Sequence, residues 1–189
     1  MVNPKRLTSP FTKKTVLSLK AGDEVLISGI IYTGRDVAHK RLCGLLEAGK
    51  ELPVDLDGQA LYFTGPSPAR PGTVVGSAGP TTSCRMDAYS PMIIKKCGLR
   101  GMIGKGNRSD EVIKSMTEHG CVYFAAIGGA GALIAGSIKS AEVVCYEDLG
   151  PEAIRRMEVE DFPVIVAIDC HGNNLYINGP SAYRIRDAF

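Results

Sequence analysis

Three stretches of this 189-residue chain carry side chains that could bind a small anion. Gly79 to Asp87 reads GPTTSCRMD: hydroxyls at Thr81, Thr82 and Ser83, a thiol at Cys84, then the guanidinium of Arg85 and the carboxylate of Asp87. Core packing does not require that order of residues, whereas a tight turn aiming several donors at one ligand does. Arginine presents a planar, bidentate fork to a carboxylate, so a dicarboxylate suits this donor set. Two further cationic turns, YTGRDVAH around Arg35 and IGKGNRSD around Lys105, read as the other walls of a single site.

Neighbours of these cations have simpler roles. Asp36 and Asp87 each stand close to an arginine in sequence, where a carboxylate orients a guanidinium and helps to cap a helix rather than moving protons. His39 follows Arg35 by one helical turn and could reach the site, although a satisfied structural histidine is the plainer reading. His119 reads as a helix-end cation complementing the dipole, and His171 as part of a turn. GGAGAL suggests a phosphate loop, but it lacks the GxGxxG spacing, so close helix packing explains it better.

Positioning these groups falls to alternating strand-like and helix-like segments. Glu24–Tyr32 reads as a strand and Asp36–Ala48 as a helix with one apolar face. Gln59–Thr64 and Thr73–Ala78 read as two strands joined by the Pro/Gly-rich PSPARPG turn, and Ser90 as N-cap with Pro91 as the first helical residue opens a helix through Lys96. Leu99–Ile103 predicts a strand, and Ser109 or Asp110 caps a helix that runs to His119 and stops at Gly120. Cys121–Ala126 predicts a buried strand, and GGAGALIAG a small-residue helix. Ile138–Tyr146 and Val164–Asp169 read as strands, and a Gly172-Asn173-Asn174 turn leads to a short strand at Leu175–Ile177. The expected fold is α/β: a single domain over 1–189, a mixed sheet with flanking helices. Each cationic loop is expected to follow a strand and open a helix, where ligands collect in open α/β sheets. A cation there opposes the helix macrodipole by ~0.3–1 kcal/mol, a cost that a shared anionic ligand offsets.

Composition narrows the partners. Apolar residues make up 44% and charged residues 22%, ordinary values for a globular domain. A formal charge of +2, no Trp and no basic–aromatic stripe argue against nucleic acid. The N-terminal MVNPKRLTSPFTKK has no apolar signal core, and the longest apolar candidate, Cys121–Ile138, is interrupted by glycines, so a cytoplasmic protein without a membrane span is expected. The six cysteines form no CxxC or CxxH pair and read as free thiols, with no metal site among them.

Taken together, YTGRDVAHKR, GPTTSCRMD, GMIGKGNRS, IGGAGAL and EVEDFPVIVAIDCHGNNLY resemble the β part of class I, iron–sulfur-dependent fumarate hydratases and the related L-tartrate dehydratases. The resemblance runs from about Leu19 to Pro180. In that family the β part is either the C-terminal half of a long chain or a separate subunit, and this chain, starting at Met1, resembles the latter. The resemblance implies a swivelling β/β/α-type domain whose active site is completed by an α subunit, with dimerisation of the αβ unit. It also implies that the α subunit carries a [4Fe–4S] cluster whose open iron acts as a Lewis acid on the substrate hydroxyl. The dicarboxylate-binding positions fall on Arg35, Thr81, Thr82, Arg85 and Lys105, with Thr81 and Lys105 serving the chemical step. Thr81 is favoured for handling the proton on the carbon beside the carboxylate, which requires a hydroxyl pKa lowered by Arg85, Lys105 or the cluster. Cys84 stands where relatives commonly carry a small residue, and it fits only if the turn accepts a side chain. The implied reaction is reversible hydration of fumarate to (S)-malate. L-Tartrate dehydration to oxaloacetate and a stand-alone anion-binding domain are the alternatives.

Overall fold

The strands β1 (Lys5–Ser9), β2 (Glu24–Thr33), β3 (Ala60–Tyr62), β4 (Gly101–Gly104) and β5 (Val122–Ala125) run parallel to their neighbours in that order. This is a computed structural model that describes residues 3–184, so the extreme ends of the domain expected over 1–189 lie outside the described residues. The long strand β7 (Ile154–Ile168) pairs antiparallel with β2, with β5 and with β6 (Ile138–Cys145). Because β7 reaches both β5 and β2, the hydrogen-bonded series β2–β3–β4–β5–β7 closes on itself. The sheet is mixed, as expected, with helices along it.

Strand periodicity sorts the side chains into two cores. Tyr62, Ile103 and Phe124 join Ile27, Ile31, Phe162 and Val166 in one cluster, while Leu61, Met102 and Tyr123 point the other way. That second face is covered by α2 (Asp36–Glu47), α3 (Ser90–Cys97) and α4 (Asp110–His119), which contribute Leu42, Ile93, Ile94, Val112 and Met116. Ser109 caps α4 by accepting from Val112 N at 3.4 Å, and Gly120 ends it at φ 71°. Two short helices, α1 (Lys13–Leu17) and α5 (Gly131–Ala135), and the C-terminal α6 (Leu175–Tyr183) complete the order.

Several sequence expectations are corrected. Thr73–Ala78 is not a strand: Ser67 and Gly76–Ser77 exchange two local backbone bonds, and the prolines around them leave no ladder to extend. Leu175–Ile177 begins α6 instead of a strand, since Asn174 accepts from Tyr176 N and caps a helix. β7 begins ten residues before the expected Val164. Its charged residues, such as Arg156 and Glu158, alternate with buried Met157 and Val159, which conceals a half-buried strand in a polar-looking run. β1 and α1 were not anticipated. Ser90 lies inside α3 rather than capping it, with Tyr89 at the cap.

Candidate dicarboxylate-binding site

The carboxyl ends of β2, β3, β4 and β5 lie side by side, through Thr33 against Tyr62, Tyr62 against Ile103, and Gly104 against Ala125. Residues leaving those ends therefore share one rim. Gly34 N donates to Tyr62 O at 3.0 Å, which starts the Arg35 turn beside β3. Thr81 N donates to Phe63 O at 2.6 Å, and Thr64 Oγ1 donates to Gly79 O at 2.8 Å, holding the GPTT segment over β3. Lys105 N donates to Thr81 O at 3.3 Å and Ser83 N donates to Lys105 O at 2.9 Å, so Thr82 and Lys105 form a parallel bridge. The structure thus brings the three cationic turns together by backbone hydrogen bonds.

The rule that each loop opens a helix holds at Arg35 alone, the N-cap residue of α2. Arg85 lies in a 3-10 turn, Ser83–Met86, twenty residues of irregular chain after β3, and Lys105 directly follows β4 but stands five residues before α4. The macrodipole cost therefore applies once, not three times. Cys84 sits exposed in the same 3-10 turn, outside the left-handed region, so the turn accepts its side chain.

Carboxylates organise the cations, although not as sequence proximity suggests. Asp36 Oδ2 accepts from Arg85 Nη2 at 2.8 Å and lies 3.9 Å from Arg35 Nε through Oδ1. Burial works against ionisation of Asp36, but the Arg85 hydrogen bond and the nearby Arg35 hold its pKa below the usual carboxylate range. Arg35 is gripped instead by Glu152, at 3.0 Å from Nη2, a residue with no role in the sequence reading. Asp87 does not touch Arg85: it accepts from Arg108 Nε at 2.7 Å and from Ser109 N at 2.8 Å.

Arg108 was missed, because next to Lys105 it reads as another loop cation. Its side chain is fully buried, with its guanidinium 5.2 Å from the ring centres of both Phe63 and Tyr123 and a 2.7 Å bond to Ser90 Oγ. The Asp87–Arg108 pair thereby ties the end of the GPTTSCRMD turn to the GKGNRSD turn. Below it, Ser83 Oγ meets Tyr123 Oη at 2.8 Å, and Tyr123 Oη donates to Gly106 O at 2.8 Å. Gly104 lies against Ser83 and Phe63 so closely that a Cβ there would overlap the Ser83 hydroxyl.

His39 is buried and structural. Its Nδ1 lies 2.8 Å from Arg35 O, its ring packs edge-on against Phe63 at 5.3 Å, and burial pushes its pKa down to about 4. It steadies the Arg35 backbone and does not face a ligand as a base. Thr82, Arg85 and Lys105 are exposed while Thr81 and Arg35 are half-buried, which makes the cluster an open shelf. Lys105 makes no ion pair among the described residues, and its stem rests near Gly128 of the GGAGAL segment.

The cysteines do not fit an iron–sulfur cluster. Among the described residues no three His, Cys, Asp or Glu side chains converge on a metal position. Burial pushes the Cys43 thiol up to about 11 and the Cys121 thiol up to about 12, away from the thiolate that a cluster needs. Nor is any helix of the described residues long and apolar enough to cross a membrane.

Fold and shelf together define an α/β domain that gathers Arg35, Arg85 and Lys105 on a rim beside the carboxyl ends of its parallel strands. The chain belongs to the Fumarase C-terminus family, which matches residues 2–179. It is 42% identical over 170 residues to a protein of Methanocaldococcus jannaschii provisionally named an L(+)-tartrate dehydratase subunit beta, covering 87% of each. It is also 42% identical over 174 residues to a protein of Geobacillus stearothermophilus provisionally named a class I fumarate hydratase, covering 90% of this chain and 33% of that one. To the anaerobic class I fumarate hydratase of Escherichia coli it is 43% identical over 151 residues, covering 79% of this chain and 28% of the relative. The chain thus spans about a third of the fumarate hydratases and most of the β subunit.

Proposed function

We propose that this chain is the carboxylate-binding component of a hydro-lyase that interconverts fumarate and (S)-malate together with an α subunit. The observation that carries the reading is the backbone bridge joining Thr81, Thr82 and Lys105, flanked by the Asp36-held Arg85 and by Arg35. Arg35, Arg85 and Lys105 hold the carboxylate remote from the hydroxyl-bearing carbon, each well-formed charge-assisted bond contributing about 1.5–3 kcal/mol. Thr81 and Thr82 donate hydroxyls to the same end, and the carbonyl of Thr81 itself accepts from Lys105 N. We assign to Thr81 the proton on the carbon beside that carboxylate, with Lys105 favouring the charged form of its neighbours. The [4Fe–4S] cluster is assigned to the α subunit, since the cysteines of this chain do not assemble one.

L-Tartrate dehydration is the second reading, favoured by the near end-to-end match with the M. jannaschii β subunit. Co-expression with the adjacent reading frame, anaerobic purification and steady-state assay of malate, fumarate and tartrate separate the two. Rapid tartrate loss with negligible malate turnover replaces the first reading by the second. Dicarboxylate binding by this chain with no activity in any reconstituted pair leaves only the anion-binding module.

A further inference from the structure

Arg35, Arg85 and Lys105 bring three positive charges to the rim, and Asp36 and Glu152 answer two of them. Among these five side chains one positive charge is left over, on Lys105, which has no ion pair among the described residues. That balance matches a single carboxylate. It matches poorly a phosphate, which carries more than one negative charge above its second ionisation and would need the opposing carboxylates removed.

We propose that Glu152 sets the anion specificity of the shelf by occupying the Nη2 edge of Arg35, so that a carboxylate end is accepted and a phosphate is rejected. The geometry leaves Arg35 little freedom. Its Nη1 and the Pro151 carbonyl both crowd the position that a Cβ on Gly65 would take, at 3.3 and 3.1 Å from it. Glu152 ends the 3-10 segment Glu147–Glu152, two residues before β7 begins at Ile154, which holds its backbone close to the start of that strand. One Glu152 oxygen, Oε2, is buried without a hydrogen-bond partner, as are Arg35 Nε and Asp36 Oδ1. Such atoms cost stability when unmatched, which is expected of a charge arrangement kept for selectivity. Coulomb repulsion grows with charge and falls with distance, so Glu152 penalises a phosphate, with both charges on one group beside Arg35, more than a dicarboxylate, whose second charge lies at its far end.

Glu152 acts through Arg35 and is a positioning residue; the proposal rests on the reading of the shelf as a carboxylate-binding wall. The test titrates the purified chain with succinate and with inorganic phosphate at pH 8 and constant ionic strength, by calorimetry, in wild type, Glu152→Gln, Glu152→Asp and Lys105→Ala. Expected is a gain of about tenfold in phosphate affinity in Glu152→Gln against threefold or less for succinate, with the ratio restored in Glu152→Asp. An unchanged ratio, or equal weakening of both anions with a lowered Tm, overturns the proposal. The carboxylate reading survives that result if Lys105→Ala still weakens succinate. No binding of either anion, or succinate binding indifferent to Lys105→Ala, overturns both.

Discussion

The buried imidazole of His39 makes a quantitative prediction about acid stability. Unfolded, a histidine titrates near its ordinary 6.5; folded, this one is pushed down to about 4, chiefly by burial. Between those values the unfolded chain binds a proton that the folded chain refuses, so stability is fully present above pH 6.5 and is lost as pH falls toward 4. At pH 4.5 the linkage amounts to about 2–3 kcal/mol relative to pH 7.5. That is about 5–10 °C in Tm for a domain of this size. Acidic groups such as Asp23 and Asp36 add their own acid loss, so the comparison needs a reference. Asn at position 39 keeps a donor near the Nδ1 position that bonds Arg35 O and removes the titration. Urea unfolding of wild type and His39→Asn, followed by circular dichroism from pH 7.5 to 4.5, measures the difference. Wild type is expected to be the more stable at pH 7.5, because the smaller side chain leaves a gap beside Phe63, and to lose about 2–3 kcal/mol of that lead at pH 4.5. Parallel curves, or an imidazole proton shift titrating near 6.5 in the folded protein, would falsify the reasoning and reopen His39 as a ligand-facing base.

Breaking the Asp87–Arg108 pair leaves a buried, uncompensated charge, so Asp87→Ala is expected to cost about 3–5 kcal/mol and to lower Tm by roughly 6–20 °C, read by calorimetry. Lys105→Ala is expected to stay within about 0.5 kcal/mol of wild-type stability, as befits an exposed loop. Arg85→Ala loses one partly exposed ion pair, about 0.2–1 kcal/mol. Both variants are expected to reduce turnover of the reconstituted enzyme by orders of magnitude, and a large Tm loss in either would assign it a structural role. Gly104→Ala forces a methyl onto Ser83 and Phe63, with an expected cost of about 1–3 kcal/mol and weakened binding through the Thr82–Lys105 bridge. Unchanged stability there would mean the rim is looser than the hydrogen bonds indicate.

What could be read along the chain was local. The cap at Ser109, the stop at Gly120 and the apolar run of β5 follow from backbone preference and side-chain character over a few residues, and they formed as read. The Arg35, Thr81–Arg85 and Lys105 turns were likewise visible as unusual clusters of donors. Elements whose identity depends on a neighbour were harder. β7 looks polar until β2 and β6 pair along it, and Leu175–Ile177 has strand-like residues yet becomes helical once Asn174 caps it.

The sequence by itself determined which groups could meet an anion and that β2 and β4 would carry Arg35 and Lys105. Only the tertiary structure decided their partners. Asp87 turned from Arg85 to Arg108, Glu152 arrived from the far side of the chain to hold Arg35, and His39 turned inward to a carbonyl. The physical reason is that a cation in a closed fold pairs with the carboxylate nearest in space and least hydrated, and sheet closure, not chain distance, sets which one that is.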